Sequence, residues 1–166
     1  TSLLDQFLSH VPEGEEVRSI SIVSPFWSEE EGQGPLCTLI DRLRTGDRLA
    51  TDAEVHLHTS AVPAKENEYL PSLPASYGCC DFRKHGVRAF AHAVSPEVLP
   101  AEVMGRDFAG KRALHAKVIL VECEKPTLPY LGSANFTRKG WGVLADPATA
   151  NIEAGIIVLE RGKTAE

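Results

Sequence analysis

The chain has 166 residues, which at roughly 150 residues per domain predicts a single domain over residues 1–166. Hydrophobic residues make up 43% and charged residues 24%, a balance that excludes a disordered chain or a small disulfide-rich scaffold. The formal net charge of −6 argues against a protein that coats nucleic acid through bulk positive charge.

The predicted elements of the first half are separated by loops rich in proline and glycine. They are a helix over 3–8, a strand over 17–24, a helix over 35–44, a strand over 54–59 and one helix near 76–84. The helix over 35–44 begins at Pro35, and its leucines and Ile40 recur at helical spacing.

The second half is dominated by predicted strands. They lie at 87–94, 114–122, 127–131 and 151–159, with a long connection over 95–110 and a turn with one helical turn over 132–140. Strands interleaved with helices predict an α/β fold, a layered α-β-α sandwich with a mixed central sheet.

No membrane segment or signal peptide is expected. The longest apolar runs, 118–121 and 154–159, fall far short of the roughly 18 residues that span a bilayer, and the N-terminus has no basic region. The four cysteines contain no Cys-x-x-Cys pair, so we expect reduced thiols in a cytoplasmic protein and no metal site. Because the first residue is not Met, we also expect a fragment or a processed form.

Charge is unevenly distributed along the chain. Residues 1–81 hold 5 basic and 14 acidic residues, whereas residues 82–140 hold 10 basic and 5 acidic residues. One interpretation is an ordinary solvated basic surface, and the other is an anionic substrate bound by the middle of the chain.

Three short motifs carry candidate chemistry. In the predicted strand over 114–122, His115 and Lys117 are two residues apart and therefore share a face. Gly132 permits a sharp turn, after which Ser133 and Asn135 are either helix caps or donors to a phosphate. The last strand begins at 151, and a carboxylate at Glu153 in so apolar a segment needs a partner, for which a histidine ring N–H is a good candidate.

Taken together, these motifs resemble the phospholipase D superfamily. The resemblance rests on His115-x-Lys117, Gly132-Ser133-x-Asn135 and Asn151-x-Glu153-Ala154-Gly155, and on residues 20–26, which are similar to the first strand and turn of such domains. The chain departs from the usual pattern at Glu122, where the family has Asp, and in carrying one His-x-Lys motif where family active sites use two.

The resemblance implies a phospholipase D-like half and a metal-independent phosphodiesterase that needs no cofactor. His115 is then the nucleophile, Lys117 and Asn135 bind the phosphoryl oxygens with help from Ser133, and Glu153 accepts a hydrogen bond from the His115 ring. A second histidine protonates the leaving oxygen, supplied by a homodimer partner or by a second phospholipase D-like half.

The basic central stretch favours DNA or RNA as the substrate, and Trp27 and Trp141 are either base-stacking or core residues. The alternatives are a phospholipase or phosphatidyltransferase, and a non-catalytic module for nucleic-acid binding or dimerisation. The remaining histidines lack a lysine two residues later, so they are interpreted as structural or surface residues: His10, His56, His58, His85 and His92.

Overall fold

The computed structural model describes residues 2–27, 34–65, 68–72, 77, 80–94, 97–98, 111–112, 114–125, 127–143 and 149–158. Its helices are α1 (Leu3–Ser9), α2 (Pro35–Thr45) and α3 (Arg138–Trp141). Its strands are β1 (Val17–Val23), β2 (Leu49–Lys65), β3 (Glu68–Pro71), β4 (Arg88–Val94), β5 (Glu97–Val98), β6 (Lys111–Arg112), β7 (Val118–Glu122), β8 (Thr127–Gly132) and β9 (Gly155–Ile157).

Seven of these strands form one mixed sheet. Its order is β3-β2-β1-β7-β8-β9, with β4 paired to β2, and β5 and β6 form a separate antiparallel pair. Strands β1, β2 and β4 run parallel, whereas β7, β8 and β9 are each antiparallel to the preceding neighbour in the sheet. The carboxyl ends of β1, β2 and β4 therefore lie at the same end of the sheet as the start of β7, the end of β8 and the start of β9.

The helices pack against one face of this sheet. Ile20 and Ile22 of β1 are fully buried, and their neighbours across the sheet continue the same apolar surface. Leu4 and Phe7 of α1 and the apolar side of α2 join them in one core. In the helices this burial follows from the spacing of the leucines, and in β1 from the alternation of residues 19–23.

Five aromatic rings pack edge to face within this core and hold α1 and α3 against β8. Phe7 contacts Tyr130 and Trp141, Trp141 contacts Tyr130 and Phe136, and Phe136 contacts Trp27. Trp27 is 8% exposed and Trp141 is 1% exposed. Both tryptophans are therefore core residues, and the base-stacking interpretation of them is wrong.

The α/β class and the mixed sheet are confirmed, and the layered α-β-α sandwich stays a prediction. Within the described ranges the helices share one core on one face, and the opposite face carries half-buried or exposed side chains. Exposed apolar side chains on that face include Phe90, Leu131 and Ile156. We call it the open face.

Most predicted elements are present with shifted bounds. The predicted 114–122 strand begins only at Val118, because its neighbour β1 ends at Val23 and the chain turns away at Pro25. The predicted 151–159 strand is ordered as a strand only over Gly155–Ile157, since β8 ends at Gly132, the partner of Gly155. Its predicted apolar face is not buried, as Ile152 and Ile156 are exposed.

Two loop predictions are corrected as well. Residues 80–86 form irregular structure and turns in place of the end of the helix expected near 76–84. Tyr77 is helical, and residues 76, 78 and 79 lie outside the described ranges. The connection predicted over 95–110 contains β5, which pairs with β6. Cys37, Cys80 and Cys123 form no disulfide within the described ranges, and Cys79 lies outside them. Among the described residues, no helix is both long and apolar enough to cross a membrane.

Candidate functional site

The predicted site residues lie at one end of the sheet. Lys117 precedes β7, Ser133 follows β8, and Glu153 precedes β9. Because β7, β8 and β9 are consecutive neighbours, these three segments emerge side by side. The Gly132 N–H donates to the Lys117 carbonyl at 3.2 Å, which joins the first two segments directly.

His115 and Lys117 contact each other in the irregular segment before β7. The Lys117 Nζ lies 3.3 Å from His115 Nε2 and also donates to the His115 carbonyl at 3.0 Å. An ammonium group only donates, so this contact requires a bare lone pair on Nε2. His115 is exposed and Lys117 is half-buried, so the pair is open to a ligand. The expected proximity is confirmed, although the two residues are not on a strand.

Ser133 and Glu153 form the second pair. The Ser133 hydroxyl donates to Glu153 Oε2 at 2.6 Å and accepts from the Ala154 N–H at 3.1 Å. The Ser133 N–H donates to the Ala154 carbonyl at 2.9 Å, so the two segments are joined by backbone and side chain alike. The other Glu153 oxygen accepts from Asn151 Nδ2 at 3.2 Å.

This arrangement corrects one predicted contact. Glu153 was expected to accept a hydrogen bond from the His115 ring, but its two oxygens accept from Ser133 and Asn151. The cause is local geometry. The Ser133–Ala154 bonds hold Glu153 at the start of β9, which is two strands from β7, the strand that follows His115. Glu153 therefore orients Ser133 in this structure.

Tyr130 explains why two glycines, Gly132 and Gly155, stand opposite each other where β8 ends and β9 begins. A Cβ on Gly132 would lie 2.1 Å from Tyr130 Oη, and one on Gly155 would lie 2.1 Å from Tyr130 Cε2. The ring of Tyr130, which is 1% exposed, therefore occupies the space beside both glycines. Gly132 was predicted to serve a sharp turn, but its requirement is this close approach. Burial raises the pKa of Tyr130, and the nearby Glu153 charge also raises it.

Asn135 lies in the loop between β8 and α3, and its position depends on Ser24. The buried Ser24 hydroxyl accepts from the Phe136 N–H at 3.0 Å and donates to the Phe26 carbonyl at 2.7 Å. Asn135 Oδ1 is buried without a hydrogen-bond partner among the described residues. Sequence reasoning missed Ser24 as a positioning residue, although it lies in the 20–26 segment that resembles the family.

The basic central stretch does not form one surface. Lys117 and the exposed Lys139 lie toward the site end, whereas Arg83 and Lys84 lie in turns before β4, at the opposite end of the sheet. These residues are close in sequence but not in space, because the length of β4 separates the turns from the site end of the sheet. The side chains of Arg106, Lys111 and Arg112 lie outside what the structure describes.

The other histidines are distributed over the molecule. His85 Nε2 lies 2.9 Å from Asp41, and His10 follows α1 as its exposed C-cap. His56, His58 and His92 form a cluster on the open face. In the part of the chain that the structure covers, no group of three or more His, Cys, Asp or Glu side chains has an arrangement suited to a metal ion.

A cleft of about 430 Å³ adjoins the site between α1 and the edge of β9. Its walls are formed by Leu3, Gln6 and His10 on one side and by Tyr130, Glu153, Ala154, Gly155 and Ile157 on the other. The Glu153 carboxylate thus contacts Ser133 and also faces this cleft.

Comparison with known proteins adds no family assignment. A scan against models of protein families matches none of them, and a search of curated proteins finds no significant relative.

Proposed function

We propose that this chain is a phospholipase D-like half that hydrolyses phosphodiesters without a metal ion, with DNA or RNA as the substrate. The observation that carries the proposal is the 3.3 Å contact between Lys117 Nζ and His115 Nε2 at the end of the sheet. It couples a nucleophilic nitrogen to a cation, and Ser133 and Glu153 follow on the adjoining segments.

The proposed chemistry begins at His115 Nε2. Lys117 Nζ, which contacts this nitrogen in the free protein, turns to the phosphoryl oxygens of the bound substrate. The freed lone pair attacks phosphorus, the bond from phosphorus to the leaving oxygen breaks, and a phosphohistidine forms. Lys117 stabilises the charge on the non-bridging oxygens, and the Asn135 amide is the second proposed donor.

The proposed reaction needs a second histidine to protonate the leaving oxygen and then to activate water for release of the phosphate. His58 lies on β2, which is two strands from β7, or roughly 10 Å at ordinary strand spacing. His92, on β4, is one strand further away. We therefore propose that the second His-x-Lys motif comes from another copy of this chain or from a second phospholipase D-like half.

Hydrolysis of bis(4-nitrophenyl) phosphate in excess EDTA tests the reaction. The expected result is turnover that survives chelation and falls at least about 1,000-fold in His115→Ala, because no other group replaces the nucleophile. His85→Gln is the matched control, since it removes a histidine in the turn before β4, at the opposite end of the sheet from the site. Equal turnover in His115→Ala and the wild type would refute the proposal.

Solution mass tests where the second motif comes from. An active protein that measures as a two-fold dimer is the expected result for a site shared between copies. Full activity in a strict monomer would contradict the need for a second motif.

One observation favours a second candidate, a non-catalytic nucleic-acid-binding module. Both oxygens of Glu153 are engaged by Ser133 and Asn151, so the His115 ring lacks the predicted carboxylate partner within the described chain. DNA binding without hydrolysis by wild-type protein at any concentration would favour this module over the enzyme.

A further inference from the structure

Four rings on the open face form one continuous stack across β2 and β4. The order is Phe90, His56, His92, His58, with ring centroids 5.0, 5.3 and 4.6 Å apart and interplanar angles of 12°, 22° and 18°. The strand register pairs His56 with Phe90 and His58 with His92, so the stack alternates between the two strands. We call this set the histidine ladder.

A chain of polar contacts runs along the ladder. Glu54 Oε2 lies 3.1 Å from His56 Nε2, and His56 Nδ1 lies 3.0 Å from His92 Nε2. The other Glu54 oxygen accepts from Arg88 at 2.6 Å. A carboxylate only accepts, so His56 Nε2 carries a proton, and a single proton lies between His56 and His92.

The count of protons decides whether this cross-strand bond exists. When both rings are neutral, His92 donates to the bare Nδ1 of His56. When His56 alone is protonated, it donates to His92 and its charge faces Glu54, so the bond is kept. When both rings are protonated, two N–H groups oppose each other at 3.0 Å, and the bond is replaced by repulsion.

The groups around the histidine ladder supply little negative charge to offset the positive charge of a second protonated ring. Glu54 and Arg88 compensate each other, and β1 presents Ser19, Ser21 and Val23 on this face. On β3, Glu68 pairs opposite Lys65 at the far end of β2. Burial lowers the pKa of His58, and the neighbouring His92 and His56 lower it further, so the ring at the end of the stack also resists protonation.

We propose that the histidine ladder is a pH-sensitive brace, a side-chain contact that holds β4 against β2 while no more than one of the His56 and His92 rings is charged. The contact is lost when both rings are protonated. The unperturbed histidine pKa is about 6.5, so the change falls in mildly acidic solution. Strand β4 pairs with β2 over Arg88–Val94, and in the described part of the chain no second strand pairs with β4. The inference is independent of the proposed phosphodiesterase activity.

Hydrogen exchange of the β4 amides tests the brace in the whole chain, at pH 7.5 and pH 5.5, after correction for intrinsic exchange rates. We expect β4 protection to fall about 10-fold or more on acidification while the β7 amides keep theirs. In His92→Phe, which keeps a stacking ring without the titration, the expected β4 response is flat. His92→Gln provides a second variant that retains an amide hydrogen-bond partner and serves if the phenylalanine variant does not fold. His10→Phe is the matched control and keeps the wild-type response.

Two results would overturn the proposal. One is unchanged β4 protection in the wild type between the two pH values. The other is a wild-type pH response in His92→Phe or His92→Gln.

Discussion

Substitution of Gly132 by alanine tests whether the glycine is required by Tyr130. The added Cβ would lie 2.1 Å from Tyr130 Oη and 2.7 Å from the Ala154 carbonyl oxygen, both well inside van der Waals contact. Tyr130 cannot simply swing away, because its ring is 1% exposed and packs against Phe7 and Trp141. Overpacking of this kind costs about 1–3 kcal/mol, and the backbone contact places Gly132→Ala toward the upper end of that range.

Thermal unfolding measures the cost. For a domain of this size, 1 kcal/mol corresponds to about 2–4 °C, so a loss of about 2–3 kcal/mol lowers the melting temperature by about 4–12 °C. Gly14→Ala is the control, because Gly14 has φ +78° and nothing within 4 Å of an added Cβ, which isolates the cost of the left-handed backbone. That cost is about 1–2 kcal/mol.

A double-mutant cycle identifies the source of the strain. Combining Gly132→Ala with Tyr130→Leu should recover part of the loss, because the two groups that collide are then no longer both present. A melting temperature in Gly132→Ala within about 2 °C of the wild type would refute the reasoning, and strict additivity in the cycle would remove Tyr130 as its cause.

Two further predictions concern acid stability and nucleic-acid binding. Hydrogen bonding from Ser2 lowers the pKa of Asp5 from 3.8 to about 2, and Arg42 also lowers it. The ionised Asp5 carboxylate therefore stabilises the folded protein above pH 3.8, and this stabilisation is lost as pH falls through 2. Asp5→Asn should therefore be less stable than the wild type at pH 5, by no more than about 1 kcal/mol for so exposed a group, and thermal melting should show this difference shrink as pH falls through 2. A constant difference over that interval would contradict the linkage. For a phosphodiester bound at the proposed site, Lys139→Ala should reduce the slope of log affinity against log salt by about 1 in DNA titrations. Lys84→Ala, at the opposite end of the sheet, should leave this slope unchanged. Equal effects of the two substitutions would contradict this placement.

Local sequence patterns predict much of the fold because they report local physics. The 3.6-residue spacing in α2 and the alternation in β1 identify which side chains face the core, and the structure confirms both elements. The grouping of His115, Lys117, Ser133 and Glu153 at one end of the sheet also agrees with the motifs that indicated it. Their chemical roles stay predictions.

Strand ends were harder to predict because a strand needs a neighbour. The 114–117 segment has the residues of a strand, but β1 ends where this segment would have to pair. The partner of Glu153 also depends on a contact between distant segments, since the Ser133–Ala154 bonds hold the carboxylate away from His115. No residue pattern within 151–159 contains that information.

The sequence by itself determined the α/β class, the helix and strand faces, and the residue types available for chemistry, because these depend on neighbours a few positions apart. Only the tertiary structure decided which elements lie side by side. The sheet order separates Lys84 from Lys117 although both belong to one basic stretch. It also brings ring nitrogens of His56 and His92 to 3.0 Å although the two residues are 36 positions apart. The physical reason is that strand pairing and packing of the core fix distances across the sheet that the spacing of residues along the chain does not encode.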